Sequence, residues 1–83
     1  MARKHPPPER GVAGVVRRFD ADEGWGVIVA PDVPGGCFVY FSGIESSGYR
    51  ELRAGQKVRF TYEEPGFLPD GCRFRALQAW PQT

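Results

Sequence analysis

Eleven glycines and eight prolines punctuate the chain so closely that no amphipathic segment of helix length survives between them. What remains is five short runs rich in β-branched and aromatic residues, at 12–19, 25–30, 37–41, 57–63 and 72–79. The breaks between them have turn chemistry. Asp20-Ala21-Asp22-Glu23-Gly24 separates the first two runs and Pro31-Asp32-Val33-Pro34-Gly35-Gly36 the next two, and residues 64–71 carry two prolines and two glycines before the last. The connection 42–56 has room for a single helical turn, near 42–45. Short strands joined by turns, with no internal repeat, predict a small all-β barrel or sandwich.

At 83 residues there is room for one small domain, expected over 11–80. A hydrophobic fraction of 41% supplies one core and excludes a disordered chain. Residues 1–10 read as a tail. Pro6, Pro7 and Pro8 favour an extended polyproline conformation, and Arg3, Lys4 and Arg10 against Glu9 make the segment mildly basic. Such a segment reads first as a frayed, flexible terminus, with an electrostatic arm as the functional alternative. The longest uncharged apolar run, 24–30, is far too short to span a bilayer. No charged-then-apolar leader precedes a cleavage site. The expectation is a cytoplasmic protein with no membrane partner.

Cys37 and Cys72 are too few for a disulfide scaffold, and both lie in apolar runs. They read as small buried hydrophobes and free thiols. The one histidine, His5, sits in the tail, so neither a zinc set nor a Cys–His or Ser–His pair can be assembled at a rigid position. Asp20, Asp22 and Glu23 cluster at a turn, where carboxylates are ordinarily solvated, and no glycine-rich phosphate loop leads into a helix. No enzyme, cofactor, metal or small-molecule substrate is expected.

Strand alternation assigns the faces. In the second run Trp25, Val27 and Val29 face one way, with Gly26, Ile28 and Ala30 the other. In the third, Phe38 and Tyr40 oppose Cys37, Val39 and Phe41. Ile28 with Ala30, and Cys37 with Val39, suffice for a core. Trp25, Phe38 and Tyr40 are then left on the solvent side, and an exposed apolar patch of that kind marks a binding surface. Arginines flank it: Arg17 and Arg18 end the first run, and Arg59, Arg73 and Arg75 lie on the last two. Rings beside cations suit single-stranded nucleic acid, whose bases stack while its backbone follows the positive charge. Two other readings fit the same residues. The rings could pack beneath a loop, with 67–68 as the cover, and a protein partner also favours aromatics and arginine. The formal charge of +1 is weak evidence for a polyanion.

The stretch 14–28, with Gly14-Val15-Val16-Arg17-Arg18-Phe19 followed after the turn by Gly24-Trp25-Gly26-Val27-Ile28, resembles the start of the bacterial cold-shock domain, including its first ribonucleoprotein motif. Cys37-Phe38-Val39-Tyr40-Phe41 is similar to the second motif. Phe41-Ser42-Gly43-Ile44, Gly48-Tyr49-Arg50-Glu51-Leu52, Gly55-Gln56-Lys57-Val58-Arg59-Phe60 and Arg75-Ala76 continue the likeness in order, over about 11–79.

The resemblance implies a five-stranded antiparallel OB-type Greek-key barrel whose second and third strands face single-stranded RNA or DNA. It implies low sequence specificity and a role as nucleic-acid chaperone or regulator of transcription or translation. Its stacking positions fall on Trp25, Phe38, Tyr40, Phe41 and Tyr49, and its basic position on Arg17. Arg18, Val27 and Arg73 complete the expected interface. Three positions depart from the pattern: Arg18 stands for a tryptophan, Glu23 for a lysine and Val27 for a phenylalanine. Weaker binding than a typical member is expected, and Arg18→Trp with Val27→Phe should tighten it. The alternative is a protein-interaction barrel with much reduced nucleic-acid affinity. A monomer is expected rather than a dimer. In such a barrel the third and fifth strands run in parallel, so Cys37 and Cys72, at their starts, should be neighbours.

Overall fold

The computed structural model describes residues 11–46 and 50–82. The expectations for the 1–10 tail, for Gly48 and for Tyr49 fall outside them. Five strands form: β1 (Val12–Asp20), β2 (Trp25–Val29), β3 (Cys37–Tyr40), β4 (Lys57–Glu63) and β5 (Phe74–Pro81). They close into a barrel in the order β1-β2-β3-β5-β4. The predicted all-β OB-type architecture is the one that forms. Its strands are not all antiparallel, because β3 and β5 pair in parallel through Cys37 with Phe74 and Phe38 with Arg75. Closure removes the exposed strand edges that a five-stranded open sheet would present.

Element ends differ from the sequence reading by a few residues. β3 stops at Tyr40, and Phe41 opens the 3-10 turn Phe41–Gly43 instead of completing the strand. β5 begins at Phe74, two residues after Cys72, and runs on to Pro81. A second 3-10 turn, Pro69–Gly71, lies in the β4–β5 connection.

Two irregularities shape the β1–β2 pair. The register jumps from Val16 opposite Ile28 to Arg18 opposite Val27, so Arg17 is an extra residue in β1. Such a bulge breaks alternation locally: Val16 is buried, and both Arg17 and Arg18 point outward. Opposite the bulge, Gly26 meets the partner backbone at close range. A Cβ there would lie 2.8 Å from the Phe19 Cα and would collide with the Arg18 carbonyl oxygen. Only glycine lets the two strands approach this closely.

The barrel interior is filled by Val16, Ile28, Cys37, Val39, Val58, Phe60, Ala76 and Ala79, sealed by Val33, Ile44 and Leu52 from the connections. The predicted core pairs Ile28 and Ala30, Cys37 and Val39 all contribute, Ala30 from a partly buried position. A second, smaller buried cluster lies on the other side of β2 and β3. It consists of Val27, Phe38 and Cys72, with Trp25 and Leu68 packed against it.

Candidate nucleic-acid interface

The outer face of β2 and β3 is built from directly opposed pairs: Trp25 faces Tyr40, and Val27 faces Phe38. Phe38 is the hub. The Trp25 ring stacks on it at 4.9 Å between centroids and 29° between planes, and the Tyr40 ring meets it edge-on, also at 4.9 Å. Such offset and edge-to-face arrangements are the favoured geometries of neighbouring rings.

Sequence alternation places these side chains on the correct face but misjudges their exposure. Phe38 is 2% exposed and Val27 is fully buried. Both were expected on the open surface, and neither is open. The cause is the β4–β5 connection, which folds back over this end of the face. Leu68 and Cys72 pack on Val27 and Phe38. The Leu68 N–H donates to the Cys72 carbonyl at 3.0 Å, and the Gly66 N–H to the Arg73 carbonyl at 3.2 Å, so the connection is a tight, self-bonded strap. Cover by 67–68 was one of the readings left open by the sequence. Leu68 fulfils it, but Phe67 projects into solvent at 98% exposure.

The other end of the face stays open. Trp25 is half-buried, and Tyr40 and Phe41 are each 49% exposed. Phe41 is fixed by its N–H, which donates to the Gly24 carbonyl at 2.7 Å, and its ring lines a shallow pocket with Gly24, Glu23 and Arg50. Gly24 has φ of 79° at the end of the β1–β2 turn. In that turn Asp20 Oδ1 accepts from the N–H groups of Asp22 and Glu23, both at 3.0 Å, which is turn-capping work for a carboxylate. Glu23 does not simply confront a nucleic-acid backbone: its Oε1 accepts the Trp25 indole N–H at 3.2 Å and steadies that ring.

The five flanking arginines already have partners within the chain. Arg18 Nη2 lies 3.0 Å from Asp70 Oδ1, and Arg17 Nη2 lies 3.6 Å from Asp70 Oδ2. The Arg18 guanidinium also sits over the Trp25 ring, 4.9 Å from its centroid. Arg73 pairs with Glu64 at 3.3 Å, and Arg75 donates to Glu63 with its Nε at 2.9 Å. Arg59 donates to the Gly11 carbonyl at 2.9 Å. Arg73 thus closes the neck of the strap, where Glu64 holds it. Sequence reasoning missed Asp70, the residue that gathers Arg17 and Arg18. Its signal was an acidic residue in a Pro-Asp-Gly turn between apolar Leu68 and Cys72.

The two cysteines are free and buried. They lie in different clusters, Cys37 in the barrel interior and Cys72 beneath the strap. Burial pushes the Cys37 thiol up to about 12, with a further rise from the nearby Cys72. The Cys72 thiol is also raised, first by burial and then by Asp70, against a lowering by Arg17 and Arg18. Among the described residues no group of three or more His, Cys, Asp or Glu side chains could hold a metal ion. Among the described residues no helix is long and apolar enough to cross a membrane.

Residues 12–70 match the family model of the 'cold-shock' DNA-binding domain. The chain belongs to that family. It is 44% identical over 52 residues to the cold shock-like protein CspB of Escherichia coli, a match spanning 63% of this chain and 73% of that protein. It is 39% identical over 64 residues to a cold shock-like protein of Aquifex aeolicus, covering 77% of this chain and 91% of the relative. With the major cold shock protein CspA of Bacillus cereus it shares 46% identity over 55 residues, 64% of this chain and 78% of that one. The match to the family model ends at Asp70, inside the strap.

Proposed function

We propose that nucleic acid is engaged along the open margin of the β2–β3 face, with Trp25, Tyr40 and Phe41 offering rings to successive bases and Arg17 and Arg18 offering cations to the backbone. The protein is a nucleic-acid-binding cold-shock chaperone of low sequence specificity. The observation that carries the assignment of the margin is the pairing of Trp25 with Tyr40 across β2 and β3, with the half-exposed Phe41 beside them. Every base has a flat π-face, so stacking on such rings, at roughly 1–3 kcal/mol per base, is indifferent to sequence. A surface that holds unstacked bases stabilises the single strand over the hairpin, which is how a chaperone melts structure without chemistry. Phe38 acts from below, holding Trp25 and Tyr40 in place. The protein works as a monomer on single-stranded RNA or DNA in the cytoplasm, without a small-molecule substrate. The closed barrel supports the monomer, because it leaves no open sheet to pair with a second copy.

A chemical-shift titration with a short oligothymidine tests the reading. Shifts should concentrate on Trp25, Tyr40, Phe41 and the Arg17–Arg18 bulge. Affinity should fall as salt rises, with a log–log slope near −0.7 per phosphate neutralised. Shifts confined to other surfaces would refute it. The pairing of all five flanking arginines within the chain favours a second reading, a protein-interaction barrel with much reduced nucleic-acid affinity. That reading predicts absent or salt-insensitive oligonucleotide binding.

A further inference from the structure

The Trp25 ring, the Arg18 guanidinium and the Asp70 carboxylate form a continuous sequence of contacts across the top of the β2–β3 face. Arg18 lies over the ring on which a base would stack. Asp70 holds Arg18 there, and it also draws in Arg17 from the next position of the bulge. Two guanidinium groups converging on one pair of oxygens is the arrangement that binds a phosphate. Here a carboxylate of the same chain occupies it.

The carboxylate is held in place by the strap. Asp70 has φ of 65° and is the one non-glycine residue with positive φ among the described residues. It sits in the Pro69–Gly71 turn between Leu68 and Cys72, the two residues that cover Val27 and Phe38. A single segment therefore covers Val27 and the Phe38 ring and neutralises the cations beside them.

We propose that the β4–β5 segment, residues 64–73, is a built-in competitor for nucleic acid, with Asp70 standing where a backbone phosphate binds between Arg17 and Arg18. The proposal rests on the β2–β3 margin being the binding site. A strand gains that site by exchanging its phosphate for the carboxylate. Arg18 then leaves the Trp25 ring, and the ring face becomes available to a base. The strap loosens over Phe38 as Asp70 lets go. Binding is set by this exchange as well as by the contacts finally made.

The test compares the full chain with its Asp70→Asn, Asp32→Asn and Trp25→Ala variants, titrated with fluorescein-labelled oligothymidine at several salt concentrations. Asparagine tolerates the left-handed backbone of position 70, so Asp70→Asn keeps the turn. Asp32, exposed in the β2–β3 turn, reports the general effect of removing one negative charge. Asp70→Asn should bind about three- to tenfold more tightly at low salt, with Asp32→Asn within about twofold of the parent; the size follows from two half-exposed ion pairs. Amide exchange at Leu68 and Cys72 should accelerate when oligothymidine is added to the parent protein. Equal affinities for Asp70→Asn and Asp32→Asn would overturn the proposal, as would undiminished protection of those two amides in the complex. If Trp25→Ala loses binding while Asp70→Asn gains nothing, the site stands and the competitor falls. If Trp25→Ala binds like the parent, the site itself is refuted and the competitor with it.

Discussion

Trp25 and Phe38 stack with their centroids 4.9 Å apart, yet Phe38 is 2% exposed and Trp25 only half-buried. The pair divides the labour of the face: one ring supports, the other is presented. Truncating the supporting ring should therefore act on folding. Phe38→Ala is expected to cost about 3–5 kcal/mol in urea unfolding, the range for a large aromatic removed from a packed site. Tyr40→Ala, at 49% exposure, should leave the unfolding midpoint nearly unchanged and weaken oligothymidine binding by about 1–3 kcal/mol. Similar stability losses for both would mean that the two rings are not layered as described.

Trp25 should report binding directly. Its fluorescence is expected to quench on titration with oligothymidine, whereas Trp80, 8% exposed in β5, supplies a constant background. Trp25→Ala should abolish the quench and cost roughly 1–3 kcal/mol of affinity. A quench that persists in that variant would assign it to Trp80.

Position 26 admits no side chain. Gly26→Ala would drive a methyl group into the Arg18 carbonyl and against the Phe19 Cα, both backbone atoms that cannot rotate aside. A loss of at least about 1–3 kcal/mol is expected in thermal or urea unfolding. The bulge next to it should distort as well, visible as shifted amide resonances at Arg17 and Arg18. A neutral Gly26→Ala would mean that β1 and β2 lie farther apart.

Restoring the family's aromatic residues separates two positions that the sequence alone treats alike. Arg18→Trp places a ring at an outward, half-exposed site and should tighten oligothymidine binding. Val27→Phe has no such freedom, because Val27 is fully buried under Cys72 and Leu68. It should overpack the cluster and destabilise the fold by about 1–3 kcal/mol. The double substitution thus carries a stability cost that the sequence reading did not include. A double variant as stable as the parent in urea unfolding would show slack beneath the strap.

Alkaline pH should unfold the protein through Cys37. An unfolded thiol releases its proton near 9.0, whereas burial holds the folded one until about 12. Between those values the folded state binds more protons than the unfolded state, so stability falls as pH rises. The contribution is fully present below about 9.0 and is lost toward 12, at no more than about 1.4 kcal/mol per pH unit from this one group. Cys37→Ala should flatten that part of the stability curve relative to the parent. An unchanged slope would remove Cys37 as its source.

The barrel was legible in the sequence because its signals are local. Turn residues mark the breaks, and two-residue alternation assigns Ile28, Cys37 and Val39 to the interior, where they lie. The ordered likeness to the cold-shock domain fixed the connectivity that alternation cannot supply, including the parallel seam between β3 and β5. Exposure was less legible, because it depends on what the rest of the chain lays over a face. Val27 and Phe38 alternate correctly and are nevertheless covered, by residues thirty or more positions away in sequence. The sequence reads the arginines as cations flanking the rings, but the charges of Arg17, Arg18, Arg73 and Arg75 are met by Asp70, Glu64 and Glu63, a pairing no spacing rule announces. The bulge at Arg17 was hidden for a related reason: alternation presumes that every residue in one strand has a counterpart in the next.

That extra residue in β1 makes the local count of amino acids a determinant in its own right. Delete one position between Val16 and Phe19, and ordinary pleating resumes, with no place for two adjacent cations on the same side. A homologous barrel one residue shorter there would lose the twin-cation clasp without a single change of residue type, so when cold-shock domains are compared, a gap in this strand is as informative as a substitution.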